Sequence, residues 1–253
     1  MNLTGNTILI TGGGSGIGRG LAEALHALGN QVVIAGRRRQ ALDETTAANP
    51  GMKSLTLDIE NPAAIRSFAA QVAAEFPTLN VLINNAGIMR TEKLLSAPEY
   101  LADAEAIVNT NLLGPIRLTA ALLPLLEKQA HATIVNVSSG LAFMPLAYTP
   151  TYCATKAALH SYTLSLRYQL KATPIEVLEL IPPYVATDLM SGASDPRAMP
   201  LDKFIAEVME ILKAQPTPAE ICVENVKRLR FAAESGNFEA IFQGLNAAMA
   251  DIH

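Results

Sequence analysis

The chain alternates short runs of aliphatic and β-branched residues with longer segments of helical periodicity, and this alternation limits its fold more than any other feature. The strand-like runs are nearly continuous in apolar residues, which is typical of parallel strands covered by helices on both faces. Six runs fit: Thr7–Thr11, Gln31–Ala35, Lys53–Leu57, Val81–Asn84, Thr133–Ser138 and Ile175–Ile181. The sequence therefore predicts an α/β fold with a doubly wound parallel sheet.

Segments of helical period separate these runs, and no Pro/Ser-rich linker or internal repeat divides the chain. They cover Gly16–Leu28, Arg38–Ala48, Pro62–Glu75, Tyr100–Lys128, Thr151–Lys171 and Leu201–Ala214. We therefore expect one domain over residues 1–253. Residues 188–214 open with a stretch rich in Ser, Gly, Pro and Met and are expected to form a mobile substrate-loop region. Residues 215–253 are predicted to be a helical C-terminal extension, with helices over Thr217–Glu234 and Phe238–Ala250 and no clear seventh strand.

Composition excludes several classes of protein. The 253 residues carry 19 Lys and Arg against 23 Asp and Glu, which is too acidic for a nucleic-acid partner. The N-terminus lacks a basic region followed by an apolar stretch, so we expect a cytoplasmic protein. The most apolar run, Leu118–Leu126, contains Pro124 and is too short to cross a bilayer. Cys153 and Cys222 are expected to be reduced thiols, and the scattered histidines predict no metal.

A glycine-rich turn follows the first strand and precedes an apolar-periodic helix. Glycines allow a diphosphate to approach the backbone closely, and the first turn of the helix supplies free N–H groups and a positive dipole end. This order of strand, turn and helix predicts a Rossmann-type dinucleotide site. The residues expected to bind the cofactor there are Gly12, Gly14, Ser15, Gly16, Ile17 and Gly18.

The end of the second strand decides which dinucleotide is favoured. A carboxylate there would accept from the ribose hydroxyls of NAD, whereas this chain has Arg37, Arg38 and Arg39. A guanidinium can bind a 2′-phosphate, so NADP (NADPH) is favoured over NAD, with Arg37 as the first candidate and Arg38 as the second. Arg39 is expected to be solvated. Asp58 either accepts from the adenine amino group or caps the helix that begins near Pro62.

Tyr152 and Lys156 stand four residues apart in a predicted helix, which places them on one face. A nearby ammonium favours the phenolate and would lower the pKa of the phenol, making it usable as a general acid and base. Ser139 follows the fifth strand, where its hydroxyl could hydrogen-bond a substrate oxygen.

Together these motifs resemble the short-chain dehydrogenase/reductase family, of the compact single-domain type. The resemblance covers about Thr7 to Thr187. It rests on the glycine turn, Asn84-Asn85-Ala86-Gly87, Asn111 within Asn109–Pro115, Ser139, and the Tyr152/Lys156 pair.

The resemblance implies a role for each matching residue. Tyr152 would donate a proton to a ketone, Ser139 would polarise the carbonyl, and Lys156 would bind the nicotinamide ribose. The main chain of Asn111 would hold a water that links the lysine to solvent. Asn85 would support the sheet and cofactor cavity, and further cofactor contacts would come from Ala86, Gly87, Pro182, Val185 and Thr187.

Two departures from the family pattern matter. Pro183 stands where glycine is usual, which removes an N–H and stiffens the expected nicotinamide wall. The C-terminal part lacks the family's usual final strand and closing glycine pair. The chain is therefore expected to be a homo-oligomer, either the family tetramer or a homodimer through Tyr100–Lys128 and Thr151–Lys171.

The expected reaction is therefore hydride transfer between NADP(H) and a small-molecule carbonyl or alcohol. The residues near the expected pocket are mainly apolar, which favours an uncharged substrate. An alternative is a catalytically silent dinucleotide sensor or scaffold. An extended sugar-nucleotide epimerase or dehydratase would need a larger C-terminal domain than the residues after Thr187 provide.

Overall fold

The structure is a computed structural model and describes residues 1–96, 100–190 and 195–249. The strands are β1 Thr7–Thr11, β2 Gln31–Gly36, β3 Lys53–Thr56, β4 Leu79–Asn84, β5 Ala132–Val137, β6 Ile175–Ile181 and β7 Glu220–Cys222. The helices are α1 Gly16–Ala27, α2 Arg39–Ala48, α3 Pro62–Glu75, α4 Leu101–Val108, α5 Gly114–Leu126, α6 Pro150–Leu170, α7 Leu201–Leu212, α8 Glu224–Arg230 and α9 Phe238–Ala248.

The strands form one parallel sheet in the order β3-β2-β1-β4-β5-β6-β7. Side chains that alternate along each strand point to opposite faces, so each face has its own apolar cluster. One cluster joins Ile8 and Ile10 to Leu21 of α1 and Phe204 of α7. The other joins Leu9 and its neighbours to α3, α5 and α6. The predicted Rossmann-type fold with helices on both faces is confirmed.

The seventh strand lies where the sequence predicted a helix. Glu220–Cys222 pairs with the end of β6 at the edge of the sheet, so the helix expected over Thr217–Glu234 is wrong in its first part, and α8 begins only at Glu224. The prediction that the C-terminal part lacks a final strand is also wrong, because β7 is that strand. Only Ile221 of this strand is fully buried, and three residues give no recognisable period.

The segment predicted as one helix over Tyr100–Lys128 contains a π-helical turn. Residues Asn109–Leu113 form this turn between α4 and α5, and the helix continues past Pro124 to Leu126. By length and composition alone, the continuous stretch Leu101–Leu126 could cross a membrane, and 44% of its most apolar window is buried within the protein. In this structure α5, the second half of that stretch, packs against α3 and β4.

The C-terminal part is packed into the core. Phe204 of α7 is fully buried against the face of the sheet that α1 covers. We expect Phe204→Ala to lower the free energy of unfolding by about 3–5 kcal/mol, because it removes a ring and leaves a cavity. Urea denaturation measures this change. Phe238→Ala, at a side chain that is 37% exposed, is the matched control and should cost less than about 1 kcal/mol.

The same unfolding curves test the domain prediction, since one domain is expected to give coincident transitions by two probes. Two separate transitions would contradict a single domain over residues 1–253. An equal loss of stability in Phe204→Ala and Phe238→Ala would contradict the buried position of Phe204.

Candidate functional site

A cavity of about 730 Å³ lies at the carboxyl edge of the sheet and brings together most of the predicted site residues. The order of the strands changes direction between β1 and β4, which is where ligands of doubly wound sheets bind. The predicted residues that line this cavity are Gly12, Gly14, Ser15, Gly16, Ile17, Arg37, Arg38, Asn85, Ala86, Gly87, Ser139, Tyr152, Lys156, Pro182, Val185 and Thr187.

The glycine turn leaves space that a side chain would fill. Gly12 has φ of +68°, and a Cβ on it would lie 2.9 Å from Asn85 Nδ2. Gly16 also has a positive φ, and its missing side chain faces Thr187. The backbone at the start of α1 is thus open to a ligand, and Ser15 at the N-cap makes no side-chain cap bond there. This cradle fits a diphosphate.

Gly18 has a different role from the one predicted. It lies outside the residues that line the cavity, and a Cβ on it would lie 2.4 Å from both Asn85 Nδ2 and the Gly12 carbonyl oxygen. Asn85 donates from Nδ2 to the Thr11 carbonyl at 2.9 Å, and Thr11 Oγ1 accepts from the N–H groups of Asn85 and Ala86 at 3.0 Å each. Gly18 therefore allows α1 to pack against this link between β1 and β4.

The arginines after β2 are placed differently from one another. Arg38 Nη2 donates to Ser15 Oγ at 2.7 Å and so reaches the glycine turn, while Arg37 pairs with Glu60 at 2.7 Å. Arg39 pairs with Asp43 one turn along α2, away from the residues that line the cavity. Glu60 was not predicted from the sequence; it reaches these arginines because β3 neighbours β2 and brings the loop after β3 beside them.

Asp58 does not line the cavity, although its neighbours Leu57 and Ile59 do. Its carboxylate accepts from the Glu60 N–H at 3.1 Å. The cap of α3 is Asn61, whose side chain accepts from the N–H groups of Ala63 and Ala64. The capping alternative for Asp58 is therefore wrong, because Asn61 stands directly before Pro62 and occupies that position.

Ser139, Tyr152 and Lys156 meet on the opposite side of the cavity. Ser139 follows β5, while the other two lie on one face of α6, with Lys156 Nζ 5.5 Å from the centroid of the Tyr152 ring. The Ser139 hydroxyl hydrogen-bonds the phenol. Lys156 Nζ donates to the Val137 carbonyl at 2.8 Å. All three side chains are buried.

Burial dominates the electrostatics of this pair. Desolvation raises the pKa of Tyr152 well above its usual value, and the hydrogen bond from Ser139 opposes that rise only in part. Desolvation also lowers the pKa of Lys156 to about 8. The pKa of Tyr152 is therefore raised in the protein on its own, where the sequence predicted a lowered one, and the contribution of Lys156 stays a prediction.

Asn111 lies in the π-helical turn and is almost fully buried, outside the residues that line the cavity. Its side chain accepts from the Ile88 N–H and donates to the Ile88 carbonyl, each at 2.8 Å, and also approaches Thr155 Oγ1 at 3.4 Å. It therefore fixes the cavity wall that follows Asn85-Ala86-Gly87. A role in a water relay stays a prediction. Single π-helical turns occur frequently at functional sites.

Two further features of the site were not predicted from the sequence. Glu92 is buried and accepts from the Thr151 N–H at 2.9 Å and from Thr151 Oγ1 at 2.7 Å, so it caps α6 one residue before Tyr152. The cavity also has an apolar lining from distant elements, formed by Met89, Leu146, Leu229, Leu245 and Met249. Of the predicted substrate-loop region, residues 191–194 lie outside the described residues.

The comparisons with known proteins agree with this geometry. The family model described as short chain dehydrogenase matches residues 6–198. The uncharacterized oxidoreductase DltE of Bacillus subtilis (strain 168) is 39% identical, and the match covers 97% of this chain and 98% of that protein. The 3-oxoacyl-[acyl-carrier-protein] reductase FabG of Escherichia coli (strain K12) is 32% identical over 77% of this chain and 80% of its own length. A short-chain dehydrogenase from Streptomyces avermitilis superposes with a TM-score of 0.80 at 27% identity, over 98% of this chain and 99% of that one.

The open glycine turn gives a direct test of the cavity. Gly12→Ala would place a methyl group against Asn85 and Ala86 at a positive φ, so we expect at least about tenfold weaker binding of NADPH, measured by fluorescence titration. Gly5→Ala is the matched control, because Gly5 has φ of +75° and nothing within 4 Å of the added atom. Equal affinity in both variants would contradict the position of the diphosphate.

Proposed function

Because the chain belongs to the short-chain dehydrogenase family, whose members are oxidoreductases acting on CH–OH and C=O groups with NAD(P), we propose that it reduces a small-molecule carbonyl with NADPH. One observation carries the proposal: Tyr152, Ser139 and Lys156 share a single cavity with the open glycine turn. A proton donor and a dinucleotide cradle in one cavity suit hydride transfer.

When bound, the reduced nicotinamide would supply the hydride that adds to the carbonyl carbon. Tyr152 gives its Oη proton to the oxygen as the C=O electron pair moves onto that oxygen. Ser139, already hydrogen-bonded to the phenol, stabilises the developing negative charge. A phenol with a raised pKa holds its proton at neutral pH, so its transfer to the substrate depends on stabilisation of the phenolate that is left behind.

Lys156 supplies the positive charge of this site. A bound substrate and cofactor exclude water, and an ammonium next to the phenol then favours the phenolate left behind. With a pKa of about 8, Lys156 carries this charge at neutral pH. Asn85, Ala86, Gly87, Pro182, Val185 and Thr187 are proposed to hold the cofactor along the cavity wall, which supports a fixed orientation of the nicotinamide.

The decisive test is removal of the proposed proton donor. We expect Tyr152→Phe to lower kcat by about a thousandfold, because the general acid is lost together with its contact to the substrate oxygen. NADPH oxidation with a panel of ketones and aldehydes measures this loss. The affinity for NADPH should change by less than about threefold, because the glycine turn and Lys156 are untouched.

Tyr162→Phe is the matched control, since Tyr162 lies on the same helix and its ring packs under the sheet rather than in the cavity. Its activity should stay within about twofold of the wild type. A wild-type protein that binds NADPH and never oxidises it would support the alternative of a catalytically silent sensor or scaffold. Full activity in Tyr152→Phe would contradict the assignment of the proton donor.

The preference for NADP over NAD is proposed from the positive charge after β2. Arg38 stands against the glycine turn, and Arg37 is close enough to Glu60 that a 2′-phosphate could replace that carboxylate as its partner. No carboxylate ends β2 itself to repel the phosphate. The two guanidinium groups are therefore proposed to bind the 2′-phosphate.

Single substitutions separate these arginines. We expect Arg37→Ala and Arg38→Ala each to lower the ratio of kcat/KM for NADPH over NADH by at least about tenfold, because each loses a charge-assisted bond. Arg39→Ala is the matched control, because Arg39 pairs with Asp43 outside the cavity lining. Equal use of NADH and NADPH by the wild type would contradict the cofactor proposal and leave the fold unaffected.

The apolar lining supports an uncharged, partly aliphatic carbonyl substrate, since an apolar wall cannot compensate a buried charge. A homo-oligomer and a cytoplasmic location remain predictions. The predicted dimer surface is supported by the contact of α4 with α6 and by the exposed side chains Leu101, Leu164 and Tyr168 on those helices.

A further inference from the structure

A row of polar side chains crosses the sheet on the face that α6 covers. Asn84, Asn136, Glu179 and Glu220 are neighbours by register on β4, β5, β6 and β7. Asn84 Nδ2 donates to Asn136 Oδ1 at 2.9 Å, and Asn136 Nδ2 donates to Thr163 Oγ1 of α6 at 2.9 Å. A polar row under a packed helix is costly unless its members are partnered.

Glu179 is the charged member of this row that lies deepest. Its side chain is 0% exposed, one carboxylate oxygen lies 2.8 Å from His160 Nδ1, and the other has no hydrogen-bond partner within the described structure. A buried carboxylate in this position interacts strongly with nearby charge, because little water screens it. The fold therefore keeps an acid at the interface between the sheet and α6. An apolar residue at this position would avoid the cost of removing a carboxylate from water.

Lys156, the proposed active-site lysine, lies on α6, the helix that also carries the His160 partner of Glu179. His160 lies one turn after Lys156 on α6, so both side chains approach the sheet from one face. The Lys156 ammonium binds the carbonyl of Val137, the residue that follows Asn136, and Asn136 is the register partner of Glu179. Glu179 thus lies on the strand next to the one that carries the anchor of the ammonium, one register position before it.

The other ionisable groups around Glu179 are either bound to another side chain or uncharged. Arg230 of α8 donates to both oxygens of Glu220 at 2.7 and 3.0 Å. Cys222 of β7 interacts electrostatically with Glu179, and burial raises the pKa of that thiol to about 11, so it stays neutral. His160, Glu179 and Glu220 have the ligand types of a metal site, but the guanidinium of Arg230 holds Glu220 and opposes a second cation.

We propose that Glu179 is a positioning residue for Lys156: its buried carboxylate keeps the lysine ammonium charged and directed at the Val137 carbonyl. The proposal rests on the proposed function, because only a charged Lys156 assists Tyr152. His160 fixes the carboxylate through its hydrogen bond and leaves the negative charge in place. The direction of the electrostatic effect agrees, since burial lowers the pKa of Lys156 and Glu179 raises it.

Two substitutions separate the charge of Glu179 from its hydrogen bond. Glu179→Gln removes the charge and keeps the shape, whereas His160→Gln breaks the bond to the imidazole and keeps the charge. We expect Glu179→Gln to lower the pKa of Lys156 by about one unit and His160→Gln to change it by less than about 0.3 unit. The measurement is a titration of lysine labelled with ¹³C at Cε, followed by NMR from about pH 6 to 10, with Lys156→Arg to assign the signal.

The pH profile of NADPH oxidation gives the second measurement. Activity should fall as Lys156 loses its proton with rising pH, so the alkaline limb of kcat/KM should move to lower pH by about one unit in Glu179→Gln and stay in place in His160→Gln. A purely structural role for Glu179 would lower activity at every pH without moving the limb. Equal displacement in both variants, or in neither, would overturn the proposal.

The outcomes also separate this inference from the proposed function. A wild type that turns over no carbonyl would contradict the function, while the NMR titration would still decide the role of Glu179 without substrate or cofactor. Thermal melting controls for folding. Should Glu179→Gln fail to fold, His160→Gln decides the question, since a fall of about one unit in the pKa of Lys156 with the carboxylate still present would overturn the proposal.

Discussion

The parallel alignment of the strands is the constraint on which the rest of the structure depends. Because all strands run in one direction, their carboxyl ends meet at one edge, and the change of strand order between β1 and β4 opens a crevice there. Hydrogen bonds between Asn85 and Thr11 join the two sides of this crevice. The glycine turn and the wall after β4 are therefore joined by hydrogen bonds in which the side chains of Thr11 and Asn85 take part, at the end of the paired strands β1 and β4.

Loss of water determines the electrostatics of the site. Tyr152 and Lys156 are both buried, so desolvation raises the pKa of the phenol and lowers that of the ammonium, which keeps the proton on the group that would donate it. The buried Glu179 acts against the second of these shifts. A helical spacing of four residues brings the two side chains to one face, but the surrounding packing decides how their charges behave.

The sequence predicted the helices and strands that have a clear hydrophobic periodicity or a residue such as proline at their ends. β1, α3 and β6 begin and end where the pattern placed them, because long apolar runs and Pro62 mark their limits. β7 was missed because three residues at a sheet edge carry no period, and the turn containing Asn111 was missed because a π-helical turn has nearly the same composition as the helix around it. Glu60, Glu92 and the apolar lining from α9 were missed because they reach the site from other parts of the chain.

By itself the sequence determined the parallel α/β sheet, the glycine turn at its edge and the identity of the Ser139, Tyr152 and Lys156 group, because these follow from local periodicity and residue chemistry. The tertiary structure decided that Gly18 supports packing behind the cavity, that Arg38 rather than Arg37 contacts the glycine turn, and that burial raises the pKa of Tyr152. These outcomes depend on contacts between residues far apart in the chain and on the exclusion of water, and neither is present in a linear pattern.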